Sequence, residues 1–155
     1  MTESKSNLHD YITDSLISYA VRFHGHLGPF LILGLKAGLS ANEILGKDYF
    51  ETKAVITTDP SPPCSCFVDG IQVATGCSMG KGNIKLKRGR GLSVIFVKGN
   101  RKLELKLRDD LLNSLRNISS KEELERTALN LYSESISELF QKEESTVSRD
   151  VMSSN

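Results

Sequence analysis

At 155 residues the chain has the size of one domain able to bury a single hydrophobic core. Hydrophobic residues make up 39% and charged residues 25%, and the formal net charge is +1, which excludes a global field that would gather nucleic acid or an anionic membrane surface. No apolar run approaches the roughly 20 residues of a membrane span, and the polar start Met1–Asp10 lacks a signal-peptide core, so the expectation is a cytoplasmic protein that crosses no membrane. Thiols in that compartment stay reduced.

Leu8, Ile12, Leu16, Ile17, Ala20 and Val21 fall on one helical face and predict a helix over Leu8–Phe23. The run Phe23-His24-Gly25-His26-Leu27-Gly28-Pro29 interrupts it, and Pro29 suits the first position of a new helix. Phe30–Leu39 is almost wholly apolar and predicts a buried helix, with Gly34 and Gly38 permitting close packing. Ser40 followed by Glu43 resembles a capping box for a separate short turn to Leu45.

Thr52–Thr58 has β-branched strand character, and Asp59-Pro60-Ser61-Pro62-Pro63 demands a loop. Cys66–Ala74 predicts a helix with Phe67, Ile71 and Ala74 inward, followed by a glycine-rich loop over Thr75–Asn83. Strands are expected at Ile84–Lys87, Leu92–Val97 and Leu103–Leu107, the last two joined by a hairpin through Lys98-Gly99-Asn100-Arg101. Two helices follow, Asp109–Leu115 and Lys121–Phe140, the second capped by Ser119 or Ser120 and carrying an apolar stripe at Leu124, Ala128, Leu131 and Ile136. From Gln141 the chain turns polar and is expected to be irregular. The order predicts one α+β core domain over residues 1–143, N-terminal helices packed on a mainly antiparallel sheet, with a disordered tail over residues 144–155.

His24 and His26 stand two apart, a spacing that cannot share a helical face. Both can aim at one centre only from non-helical backbone, which Gly25 and the Gly28-Pro29 break supply. The plain alternative is one histidine capping the helix and the other packed. Cys64, Cys66 and Cys77 cluster in one window, and an odd, clustered count in a reducing compartment favours metal ligation over disulfides. Thiolate and imidazole are preferred zinc ligands and also suit nickel, copper or iron. The plain alternative for a free cysteine is a small buried hydrophobe, and Cys64, ahead of the helix, fits it best.

Cys66, Asp69 and Gln72 recur at a spacing of three and share a helical side. Asp69 could hold a histidine ring N–H or act as acid or base near a metal-bound water; an ordinary polar helix face explains the spacing equally well. Gly76-Cys77-Ser78-Met79-Gly80-Lys81-Gly82-Asn83 fails as a P-loop, since Gly82 stands where Ser or Thr should meet magnesium. Its backbone N–H groups and Lys81 could still receive an anion, or it is a tight turn into the next strand. Lys85, Lys87, Arg88 and Arg90 carry no interleaved aromatics, so no nucleic-acid partner is expected.

His24-Gly25-His26-Leu27-Gly28-Pro29, followed by Cys66-x-x-Asp69-x-Ile71-Gln72-x-x-Thr75-Gly76-Cys77-x-x-Gly80-Lys81-Gly82-Asn83, resembles the FmdE-like family associated with formylmethanofuran dehydrogenase. The resemblance spans about Tyr19 to Leu107. It implies an α+β core, often an intertwined homodimer, with a metal centre at His24, His26, Cys66 and Cys77 and with Asp69, Gln72 and Lys81 nearby. Zinc is the first expectation, with nickel or iron as alternatives. Many relatives have a cysteine where this chain has Gly28, and some carry a cysteine-rich C-terminal module, whereas this chain has no cysteine after Cys77.

The function implied is an accessory or metal-handling role beside the tungsten or molybdenum formylmethanofuran dehydrogenase, whose other subunits would be its partners. The alternative is a small stand-alone metalloenzyme acting on an anionic molecule, with Asp69 as acid or base and Lys81 steering the substrate.

Overall fold

The computed structural model describes residues 8–147, with side chains from Ser15 onward. Expectations for Met1–Asn7, for the Leu8 and Ile12 side chains, and for a tail from residue 148 lie outside the described residues. Two N-terminal helices come first: α1, Leu8–His24, and α2, Pro29–Leu45. Strand β1, Lys53–Thr58, leads through a loop to α3, Cys66–Thr75. Strands β2, Ile84–Arg88, β3, Ser93–Lys98, and β4, Arg101–Leu107, follow. The chain then forms α4, Asp109–Arg116, α5, Lys121–Ser133, the short α6, Ile136–Leu139, and β5, Phe140–Thr146. The sheet order is β2-β1-β3-β4-β5. Only the β1–β2 pair is parallel, as its α3 crossover requires. The other neighbours are antiparallel, and Lys98 faces Arg101 across a two-residue turn in which Gly99 takes a positive φ of 60°.

One sheet face is dry. Ala54, Ile56, Val94, Phe96, Leu103, Leu105 and Leu107 alternate inward at 1% exposure or less, so the period-two pattern sets the register. Helix α2 lies at the centre of the helical layer, touching α1, α3, α5, α6 and β4. Its contact with α3 is backbone to backbone. A methyl group on Gly34 would overlap the Phe67 carbonyl, and one on Gly70 would overlap the Leu31 carbonyl. That close crossing anchors α3 to α2 and sets the first turns of both helices at the same end of the layer.

Three expectations are corrected. Ser40 caps nothing; it is buried inside one continuous α2, where Gly38 abuts Ala74 of α3. The helix expected over Lys121–Phe140 stops at Ser133, and the carbonyl of Tyr132 accepts a 2.7 Å bond from Lys36 Nζ. Its start is as expected, with Ser120 Oγ accepting from Glu123 N at 3.0 Å. Finally, Gln141–Thr146 is not irregular but lies along β4 as an edge strand. Phe140 explains both last changes: it is 1% exposed and packs against Phe67 with ring centroids 6.2 Å apart. A helix continued past Ser133 could not deliver that ring to the core.

Candidate metal centre

Gly25 takes φ 108°, a conformation open to glycine, and its N–H bonds the Val21 carbonyl at 2.7 Å, which closes α1 at His24. Pro29 opens α2 four residues later. The histidines therefore sit in the break between two helices, His24 on the last residue of α1 and His26 in the turn. Their ring centroids lie 4.6 Å apart at an interplanar angle of 41°.

Asp69 occupies the first turn of α3, beside the end of α1. Its Oδ2 lies 2.6 Å from His24 Nδ1, and a carboxylate acceptor assigns the ring proton to Nδ1. The Asp69 carboxylate stands in the first turn of α3, where the helix dipole favours its negative charge. The tautomer leaves His24 Nε2 with a bare lone pair. The His24 side chain is 9% exposed, and Nε2 is buried without a hydrogen-bond partner, a condition shared among the described side chains only by Thr58 Oγ1. An unpaired buried polar atom costs about 1–3 kcal/mol, a cost that a ligand on that lone pair removes.

His24, His26 and Cys66 line a common cavity of about 100 Å³. Gly28, Pro29, Phe30 and Leu31 form its α2 side, Leu115, Arg116, Ile118 and Leu124 its far wall. Burial raises the Cys66 thiol above its ordinary pKa, and the nearby Asp69 carboxylate and Cys64 add to the rise. That environment favours the neutral thiol, a preference that a bound cation reverses. Among the described residues no three His, Cys, Asp or Glu side chains converge as a ready ligand cluster.

Cys77 is not brought to this cavity. It follows the C-terminal end of α3, eleven residues after Cys66 and about 16 Å away at the helical rise. It is 1% exposed, and its Sγ donates to the Thr52 carbonyl at 3.3 Å while its N–H meets Thr75 Oγ1 at 3.1 Å. Lys81 lies at that end too: Nζ donates to the Tyr49 carbonyl at 2.7 Å and sits over the Tyr49 and Phe50 rings. Cys64 is buried, and its Sγ lies 3.7 Å from Arg116 Nη2. Gln72 does not line the cavity. Asp69 does not line the cavity itself and reaches it only through its bond to His24.

Sequence reasoning missed the far wall. Arg116 and Ile118 come from the end of α4 and the loop after it, with no motif to mark them. The expectation that Cys77 joins Cys66 at one centre overlooked that a helix over Cys66–Ala74 spaces the two thiols apart.

Residues 23–154 match the family model described as "FmdE, Molybdenum formylmethanofuran dehydrogenase operon". The chain belongs to the FmdE family. A tungsten formylmethanofuran dehydrogenase FmdE-like protein from Syntrophus aciditrophicus shares the fold, with a TM-score of 0.59, 14% identity, and coverage of 92% of this chain and 76% of that one. A probable S-adenosyl-L-methionine-binding protein of Archaeoglobus fulgidus is 38% identical over 72 residues, 44% of this chain. That match spans 19% of the relative's own length. Among the described residues no helix of this FmdE-family chain is long and apolar enough to cross a membrane.

Proposed function

We propose that this FmdE-family chain binds a transition metal, zinc in the first place with nickel or iron as alternatives, at His24, His26 and Cys66. The observation that carries the reading is His24: Asp69 fixes its Nδ1 and leaves a buried, partnerless Nε2 in a cavity shared with a second imidazole and a thiol. A carboxylate behind a ligating histidine fixes its tautomer and raises its basicity. The three donors are not yet gathered as a cluster, so a bound ion would draw His26 and Cys66 toward His24. Three protein donors leave a coordination position open, which distinguishes a working site from a closed structural one. A bound zinc would supply Lewis acidity at that position.

In this reading the protein serves an accessory or metal-handling role beside a formylmethanofuran dehydrogenase, in the cytoplasm and as a homodimer. Membership in the FmdE family supports the association with that enzyme's operon.

Elemental analysis of freshly purified protein and of variants tests the proposal. The expected result is about one metal per chain in wild type, loss in His24→Ala, and retention in Cys77→Ser. No metal after anaerobic reconstitution, or equal metal in wild type and His24→Ala, would sink it.

A further inference from the structure

We propose that the same cavity also takes a small organic monoanion, a carboxylate with a short apolar end, held between Arg116 and the N-terminus of α2. The inference rests on the reading that this cavity is the working site, and goes beyond it by naming a second ligand.

The charge balance around the cavity carries the argument. Arg116 lines it, and no carboxylate among the described residues pairs with that guanidinium. The same cavity is lined by the start of α2, a 17-residue helix with no side-chain cap and no acidic residue in its first turn. The leading N–H groups of a helix have no intrahelical acceptor. Pro29 has none to offer, so the free donors there are the amides of Phe30 and Leu31, both cavity-lining residues. Helix ends of this kind receive anions. His24 Nε2, buried and unpartnered, borders the same space; its lone pair is left to the metal of the proposed function, and the anion meets only the donors of Arg116 and of α2.

Size and polarity narrow the class. About 100 Å³ matches roughly three waters at ~30 Å³ each, hence a ligand of about three to five heavy atoms. One guanidinium and one helix end, the latter equivalent to about half a charge, balance a single negative charge and not a dianion. Leu115, Ile118 and Leu124 form an apolar side against which a methyl or ethyl group can lie. A planar carboxylate matches the guanidinium fork. The wall contributed by α4 and α5 thus supplies the anchor and the apolar contact, while the His/Cys side holds the metal.

The test is titration of ¹⁵N-labelled, metal-free full-length protein with sodium propionate, with propionamide as the uncharged control. The expected result is saturable shifts at the Phe30 and Leu31 amides with propionate and not with propionamide. Arg116→Gln should weaken propionate by about tenfold or more, with Arg116→Lys intermediate and metal stoichiometry unchanged in both. Arg116 is exposed, so these variants should fold. Absence of shifts in wild type, equal binding of propionamide, or unaltered affinity in Arg116→Gln would overturn the proposal. If propionate binds with this Arg116 dependence while wild type takes no metal, the metal reading fails and the anion site stands. If metal binds through His24 but propionate does not, the anion site fails and the metal reading stands.

Discussion

The two ends of α3 carry parts of one sequence motif, yet they do opposite work. At the C-terminal end the polar groups are spoken for. Thr75 Oγ1 donates to Ile71 O, Cys77 Sγ to Thr52 O, and Asn83 Nδ2 to the Tyr49 and Thr52 carbonyls, while Asn83 Oδ1 receives Ser78 N–H. Lys81 is occupied as well. At the N-terminal end a buried imidazole nitrogen, a guanidinium with no carboxylate partner among the described residues, a thiol and an uncapped helix start surround a cavity. Saturated polar networks build and rigidify; unsaturated ones wait for a ligand. The glycine-rich Gly76–Asn83 segment has its polar side chains satisfied within the fold, and the proposed function places the chemistry at the helix's other end.

The contrast can be broken most severely at His24. His24→Ala should abolish metal binding, read as metal per chain, while leaving the melting transition cooperative. Asp69→Asn should weaken metal affinity by roughly 10–100-fold, because the ring loses its charged orienting partner; competition with a chromophoric chelator measures it. Unchanged affinity in Asp69→Asn would return Asp69 to an ordinary polar helix position.

Gly28 sharpens the comparison from the opposite direction. Its φ of −147° suits any residue, and a Cβ there would lie 3.3 Å from His26 Nε2. A thiol at that position would border the cavity. Gly28→Cys is expected to tighten metal binding about tenfold by adding a thiolate donor, and a variant no tighter than wild type would place the ion elsewhere.

Cys77→Ala addresses the structural end. It should cost about 1–2 kcal/mol in denaturant unfolding, from the lost buried sulfur and its bond to Thr52, with metal content intact. Burial raises the Cys77 thiol above its ordinary 9.0. A raised folded-state pKa contributes stability that is complete below the unfolded value and lost as pH rises through the folded one. Wild type should therefore lose stability above about pH 9, and Cys77→Ala should lose less of it over that window. Parallel curves would show that the thiol is not stabilised by burial.

Much of this fold was readable before any coordinates. Period-two alternation at Ala54, Ile56, Val94 and Phe96 and the apolar run after Pro29 have strong local signals, and the structure follows them. Edge strand β5 has none: Gln141–Thr146 is exposed on both faces and held only by β4 and the anchor at Phe140. The break after Ser133 was hidden for a related reason, since a helical stripe continues to Ile136 and only tertiary packing of Phe140 against Phe67 interrupts it. At the candidate site, the His-Gly-His turn and the Cys66–Asp69 spacing were legible because helix geometry fixes neighbours three apart. Arg116 was not, because its place depends on how α4 packs some ninety residues after His24.

Anomalous diffraction at the absorption edge of the bound metal tests the central claim most directly. The account predicts a single peak about 2.0–2.1 Å from His24 Nε2, in the cavity shared with His26 and Cys66. A peak on Cys77 Sγ, at the far end of α3, would contradict it.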